Sequence, residues 1–511
     1  MITKAKLTDD ILMHTTQATT ECYQQSFEFQ GLGSRRVEVD FSGGHLSSEG
    51  GSLLLREVDR SQRLCERLAA CFTDRRDQRF VEHDLTVMLR QRILGLALGY
   101  EDINDHDALR LDPLLAAMCG RADVLGQERH LQQDQGKPLA GKSTLNRLEL
   151  GAQSTNARTK KIEAHPEQIE ALLLDQGVAA IPRKSKVIVL DFDATDDFIH
   201  GAQEGRFYHG YYGGYCYLPL YCFCGDIPLW AQLRTADRDG SEGTLAALQK
   251  IIPAIRARFG KHTAIVVRGD SGFCREEIMA WIESQPRVHY VLGLARNKRL
   301  EGMLASTFWD VAAQMDEDAA LCAKAAGAHA PPLPPEGSAR AFAELRYRTL
   351  KSWSRERRVI GKAEITQSKR NPRYIVTDLA DSEDWAQGEA AFADGRSLYE
   401  QFYCARGDME NRIKEQQLDM FADRTSTAHL KSNQLRLWFS TFAYQIMREL
   451  RSVALHGTRL ARATVGTIRL RLMKIAAQVT VSVRRVHVRL SSACPWRDVF
   501  AHAHGRLREL G

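Results

Sequence analysis

The chain has 511 residues, 44% of them hydrophobic and 26% charged, with a formal net charge of +6; that length predicts two to four domains rather than one core. It contains no run of about 18 apolar residues, which argues against a membrane span. Met1–Gln30 lacks the basic start and apolar middle of a secretory signal, and eleven scattered cysteines fit a reducing cytoplasm better than a disulfide framework.

Residues 1–35 carry no sustained period and are expected to be loose. Residues 36–180 read as a mainly helical region. Leu53, Leu54, Leu55, Val58, Leu64 and Leu68 recur at helical spacing, as do Leu85, Met88, Leu89, Ile93, Leu94 and Leu98, with Gly99 ending the second pattern. After a polar loop, Ser143-Thr-Leu-Asn-Arg-Leu-Glu149 reads as a helix with a hydroxyl ahead of its apolar positions. The preceding Gly136-Lys-Pro-Leu-Ala-Gly141-Lys142-Ser143 matches the phosphate-cradling G-x-x-x-x-G-K-[ST] loop. Val187-Ile-Val-Leu-Asp191 would then supply a magnesium-binding Asp. Such a loop should follow a buried strand, and His130-Leu-Gln-Gln-Asp-Gln135 does not read as one; a simple helix entry is the competing reading.

From residue 186 the pattern turns to strands. Val187–Asp193 suits a strand buried on both faces. Arg206–Gly225 suggests a hairpin and Ile227–Thr235 a third strand. A helix over Ser241–Phe259, a strand over Thr263–Arg268, a helix over Arg275–Ser284 and a strand over His289–Ala295 follow. Three strands, helix, strand, helix, strand is the order of a ribonuclease-H-like α/β fold. The expected division is a ribonuclease-H-like core over 181–300, a β-rich insertion over 301–395 containing a Pro/Gly-rich linker at Ala325–Gly337, core helices over 396–455, and a basic tail over 456–511. Arg451–Gly511 holds twelve Lys/Arg and two acids, which suits an acidic polymer or a solvated face.

The chemistry-bearing residues fall in three places. Asp191 and Asp193 lie two apart on a strand and share a face. Asp270 ends a second apolar run, Ala264-Ile-Val-Val-Arg-Gly-Asp270, and a Ser-Gly turn exposes it. Tyr403, Arg406, Glu410 and Lys414 step by three, four and four, one side of a helix. Carboxylates at buried strand ends are costly unless paired or metal-bound. An all-oxygen set from Asp193, Asp270 and Glu410 favours Mg²⁺ or Mn²⁺, and two such ions need several bridging carboxylates. Cys216, Cys222 and Cys224 have no matching His/Cys pair at zinc spacing and read as strand residues. Arg484, Arg485 and Arg489 alternate partly with Val and form either a DNA-facing or a solvated strand face.

These motifs together resemble the DDE transposases of bacterial insertion sequences, most closely the insertion sequence 1380 family. The resemblance runs through Asp40-Phe-Ser-Gly-Gly-His-Leu-Ser-Ser-Glu-Gly-Gly51, Gly99-Tyr-Glu-Asp-Ile-Asn-Asp-His-Asp107, Ser143–Glu149, Leu190-Asp-Phe-Asp-Ala-Thr-Asp-Asp197, Tyr215-Cys-Tyr-Leu-Pro-Leu220, Val267-Arg-Gly-Asp-Ser-Gly272 and Tyr403–Lys414. It implies a ribonuclease-H-like core, with Asp193, Asp270 and Glu410 as the catalytic, metal-holding acids and Asp191 as an alternative first ligand. Tyr403, Arg406 and Glu410 fit a tyrosine–arginine–glutamate signature. The lysine of that signature falls seven residues after the glutamate, where Gln417 stands here, while Lys414 stands four after it.

The resemblance implies cutting at terminal inverted repeats and joining to target DNA, with two Mg²⁺ or Mn²⁺ ions. Tyr403, Arg406, Lys414, Arg484, Arg485 and Arg489 would contact DNA, and residues 36–180 would read the element ends. A homodimer on DNA in the bacterial cytoplasm, at the nucleoid, is the implied setting. The alternatives are a ribonuclease-H-like nuclease without strand transfer, a P-loop nucleotide hydrolase, and a non-catalytic DNA-binding protein derived from a transposase.

Overall fold

The computed structural model describes residues 26–150, 161–326, 338–366, 369–380 and 394–509. Most of the expected loose N-terminus and most of the Pro/Gly-rich segment lie outside them. The expectation of a loose start to residue 35 does not hold from Phe27 on. Phe27–Leu32 pairs antiparallel with Arg35–Val39 through a tight turn.

The helices that frame the site are α1 (Ser52–Gln62), α2 (Leu85–Ala97), α3 (Lys142–Glu149), α4 (Pro166–Ala180), α5 (Thr244–Phe259), α6 (Glu276–Glu283), α7 (Gly407–Lys414), α8 (Leu430–Glu449) and α9 (Arg497–Arg508). The strands β1 (Val187–Ala194), β2 (Leu220–Cys224), β3 (Ile227–Gln232), β4 (Ala264–Gly269), β5 (Val288–Leu294), β6 (Ser338–Tyr347), β7 (Arg357–Thr366), β8 (Lys369–Arg370) and β9 (Arg373–Thr377) form one nine-stranded sheet. Its order is β3-β2-β1-β4-β5-β9-β7-β6, with β8 on β7. The pairs β1–β4 and β4–β5 are parallel, and the remaining neighbours are antiparallel. The molecule is thus mixed α/β, and the strand–helix succession β1-β2-β3-α5-β4-α6-β5 follows the order expected from the sequence.

The sheet is covered on both faces, which is why its central strands are apolar on both sides. Ile188, Leu190 and Phe192 of β1 join a core with Leu248 and Ile252 of α5 and Ile278 and Ile282 of α6. On the opposite face Val187, Val189, Val266 and Val291 pack against Leu398, Tyr399 and Phe402. The aromatic stretch expected to form one hairpin divides instead. β2 enters the main sheet, while Phe207–His209 and Gly214–Tyr217 pair in a small side sheet with Asp197–Phe198.

The strands of the expected insertion continue this sheet rather than closing a separate one. β9 pairs with the free edge of β5, and β7 and β6 extend it, with the helix Ala305–Ala326 packed along them. Sequence-distant segments also share a core at the other end. α2 and α3 bury their apolar faces against α8, so Leu89, Ile93, Leu145 and Phe439 belong to one cluster. Glu149, fully buried, ties the group by accepting from Arg92 Nε and Arg436 Nε, each at 2.5 Å.

The basic tail docks back as well. Ala477–Ser482 and Arg485–Leu490 form a hairpin that adds to His45–Ser47, and α9 buries Val499, Ala503 and Leu507 beside α1. Gly51 marks where the two ends of the chain meet. A Cβ there would lie 1.9 Å from the Leu472 carbonyl oxygen, so a side chain would push the start of α1 away from the helical turn Arg469–Met473.

Candidate active site

The parallel register of β1 and β4 builds the site. Arg268 stands opposite Asp191. Two residues further, at the same strand ends, come Asp270 and Asp193. Asp191 is buried and takes a bidentate pair from Arg268, Nε to Oδ1 at 2.6 Å and Nη2 to Oδ2 at 2.8 Å. Arg268 also donates to the Phe402 carbonyl and lies 4.9 Å over the Phe402 ring. Asp191 is therefore committed to an arginine that pins the sheet to the helical segment above it, and its oxygens are not free donors.

Asp193 lies at the open end. Arg406 Nη1 approaches its Oδ2 at 3.6 Å, and the Ala194 amide donates to its Oδ1 at 3.0 Å. Burial, reinforced by the charges of Asp270 and Glu410 and opposed by Arg406, pushes its carboxyl up to about 7. Asp270 receives the Gly272 amide at 2.8 Å, the turn anticipated from Ser271-Gly272. Glu410 is half-exposed and holds Arg406 Nη2 at 2.8 Å. Arg406 thus stands between Asp193 and Glu410 as the shared counter-ion of the acids.

The segment carrying these residues is helical but changes its winding. Leu398–Tyr403 is a π-helix, Cys404–Arg406 a 3₁₀ turn, α7 regular, and Glu415–Asp419 π again. Such changes cluster at functional sites because they re-aim side chains without ending the helix. Lys414 ends α7 on an exposed surface. Gln417, at the position of the signature lysine, donates to the Asp196 carbonyl at 3.1 Å and so ties the helix to the loop after β1.

Tyr403 closes one wall. Burial raises its phenol, the Asp270 charge adds to this, and the adjacent Arg406 opposes it. Its hydroxyl lies over Gly293 of β5, where a Cβ would come within 2.6 Å of it and within 2.8 Å of the Ser271 amide. Gly293 is a residue the sequence reading passed over. Its signal was there: a lone glycine inside a buried strand often marks close approach of another group. A cleft of about 400 Å³ opens beside Asp270, Tyr403 and Arg406, and Arg296 and Arg373 add two cations to its wall. Arg296 follows β5 at the strand-end edge that carries Asp270, and Arg373 begins β9 beside it. Neither had a motif to announce it.

The three acids fit a divalent metal by donor chemistry and by their mutual repulsion in a half-buried place. As they stand, among the described residues no three His, Cys, Asp or Glu are grouped to hold one ion. Arg406 occupies the space between Asp193 and Glu410. Arg484, Arg485 and Arg489 are exposed on the tail hairpin, away from this cluster in the fold. Arg485 and Arg489 share a polar face with His487, opposite Ser482, Gln478 and Thr480. The phosphate-loop motif does not form a nucleotide cradle. A 3₁₀ turn over Gln132–Asp134 precedes it in place of a strand, and Lys142 pairs with Asp107 at 3.4 Å. Cys216 and Cys222 are buried, and Cys224 nearly so. No helix among the described residues is long and apolar enough to cross a membrane.

The family model described as transposase DDE domain group 1 matches residues 29–511. No curated protein matches. Among solved structures, the cryo-EM structure of a piggyBac transposase synaptic complex with hairpin DNA is similar at 10% identity and a TM-score of 0.37, over 83% of this chain and 80% of that one.

Proposed function

The chain belongs to the transposase DDE domain group 1 family, and from that premise we propose that it cuts DNA at the terminal inverted repeats of an insertion sequence and joins the freed ends to a target. The observation that carries this reading is the β1–β4 register, which sets Asp193 beside Asp270 under a helix that brings Glu410. The order β3-β2-β1-β4-β5, with three antiparallel strands followed by two parallel ones, supports a ribonuclease-H-like core. The motifs shared with the insertion sequence 1380 family support a bacterial element and a nucleoid setting, with a homodimer bridging two ends.

In this reading Asp193, Asp270 and Glu410 hold Mg²⁺ or Mn²⁺, which would supply an activated water or hydroxyl and stabilise the leaving oxygen. The chain's own residues orient the DNA. Arg406 is a planar fork suited to phosphate oxygens, and the acids hold it at the mouth of the cleft until a phosphate competes for it. Tyr403 can donate to the same phosphate or stack on a displaced base. Arg296 and Arg373 extend the positive wall, Lys414 flanks it, and the tail hairpin contacts phosphates through Arg484, Arg485 and Arg489.

Purified protein, Mg²⁺ and a DNA fragment carrying the element's own ends test this directly. Nicked or cut ends together with joined products are expected. Cutting without joining would favour the nuclease reading, and end binding without cutting would favour a non-catalytic DNA-binding protein.

A further inference from the structure

The N-terminal helical region contains a second charged cavity, of about 620 Å³, far from Asp193 in sequence and built on other elements. Arg76, Arg110, Arg129, Arg147 and Lys161 line it, with the start of α3 at Gly141 and Thr144. Some of these charges are spoken for: Arg76 pairs with Asp74 at 2.6 Å and Arg129 with Glu82 at 3.2 Å. Arg110, Arg147 and Lys161 have no carboxylate within ion-pair distance among the described residues, and the Arg110 Nε is buried with no hydrogen-bond partner.

The lining sets these five cations against three acids, Asp77, Glu82 and Asp134. His83, 5% exposed, has its Nε2 2.6 Å from Arg129 Nη1, while its Nδ1 is buried without a partner. Burial and the surrounding Arg129, Arg121, Arg76 and Arg110 push its imidazole down to about 3, so it stays neutral and Nε2 accepts from Arg129. On the rim Phe80 is 75% exposed, with the Arg79 guanidinium 5.6 Å over its ring. Asp77 holds that Arg79 at 2.7 Å, so the cations left without a carboxylate partner are those deeper in the cavity, and an exposed ring at its rim is the composition of a site for unpaired nucleotides. Phosphates meet the cations and a base meets the ring.

We propose that this cavity clasps the phosphodiester backbone of an element end at a nucleotide whose base leaves the duplex and stacks on Phe80. The assignment rests on the transposase reading and supplies what that reading lacks, a place where the helical region grips DNA. Unlike a nucleotide-hydrolase loop, it uses Arg147 and Lys161 rather than Lys142, which Asp107 holds elsewhere.

The test is binding of full-length protein in EDTA, which prevents cutting, to two fluorescein-labelled duplexes of one sequence. One is fully paired and one carries a single unpaired 2-aminopurine. The unpaired duplex should bind more tightly, with its fluorescence quenched. Phe80→Ala should remove that preference, about tenfold for one stacked base, and Phe80→Tyr should keep it. Arg147→Gln with Lys161→Gln should weaken both duplexes and lower the salt slope by about 0.9 for each phosphate left without its cation. All these side chains are exposed, and circular dichroism checks the fold. Variants that keep the wild-type preference and slope would overturn the assignment, as would millimolar ATP displacing both duplexes from wild type but not from Arg147→Gln/Lys161→Gln. Wild type that binds neither duplex would instead overturn the DNA-binding reading beneath it.

Discussion

At the ends of β1 and β4 each buried acid has met a cation: Asp191 holds Arg268, and Arg406 stands between Asp193 and Glu410. In the N-terminal cavity the balance is reversed, because Arg147 and Lys161 line the opening with no carboxylate within ion-pair distance among the described residues. One region gathers more negative charge than a single guanidinium relieves, and burial, reinforced by Asp270 and Glu410, pushes Asp193 up to about 7. The other gathers more positive charge than its acids relieve, and burial, reinforced by the surrounding arginines, pushes His83 down to about 3. The pair teaches that a site's ligand is written in the charge its own neighbours leave unsatisfied. In the proposed reading the first region takes a cation and the second a polyanion.

The sharpest way to break this comparison is to remove one acid's charge at constant shape. Asp193→Asn, Asp270→Asn and Glu410→Gln should each lower single-turnover cleavage by about 10³-fold or more, since a metal's share of transition-state stabilisation is several kcal/mol. Binding of the element ends, read by gel shift, should hardly change. Asp191→Asn should act differently, by unfolding: a buried Arg268 left without its partner costs about 3 kcal/mol. A folded, inactive Asp191→Asn beside an active Asp193→Asn would reverse the assignment of the first acid.

Glu149→Gln sharpens the comparison from the structural side. It strands Arg92 and Arg436 around one buried position and should cost about 3 kcal/mol in urea unfolding, with DNA cleavage intact below the transition.

Acidity offers a middle-sized effect. Asp193 must lose its proton to hold a cation, so Mn²⁺ affinity by calorimetry should fall about fivefold between about pH 7 and pH 6. The stability effect has the opposite sense to that of an ion-paired carboxylate. Because the folded-state value is raised, the native state loses stability as pH rises from the unfolded carboxylate range near about 4 through about 7. Asp193→Asn, neutral throughout, should therefore raise the metal-free Tm at about pH 8 and leave it little changed at about pH 4.

The smallest expected effect belongs to the tail hairpin, whose exposed arginines lie outside both regions. Replacing Arg484, Arg485 and Arg489 with Gln should weaken specific and random DNA about equally and lower the salt slope by about 0.9 for each phosphate no longer neutralised. An unchanged slope would place them on a solvated face.

Much of the framework was legible because it is local. Val187–Asp193 announced a strand buried on both faces, and the alternation of strand and helix to Leu294 follows from periods of two and 3.6. The acids stood out because a carboxylate at the end of an apolar run demands a reason. The changes in winding between Leu398 and Asp419 were not legible, since they depend on what the helix packs against. Nor was the joining of β9 to β5, because an edge strand's partner is set by long-range pairing.

By itself the sequence determined which residues carry charge, where most strands and helices run, and that Asp193 and Asp270 end apolar runs while Glu410 lies on a helix face with Tyr403 and Arg406. Only the tertiary structure decided which charges are spent. Asp191 and Asp193 are equivalent by periodicity, yet the parallel register gives Arg268 to the first and leaves the second facing the cleft. The basic cavity likewise draws on residues from Arg76 to Lys161 that no local pattern groups. The physical reason is the same in both. Periodicity is a property of a few neighbouring residues, whereas the energy of a charge depends on every group that packing brings within a few ångströms.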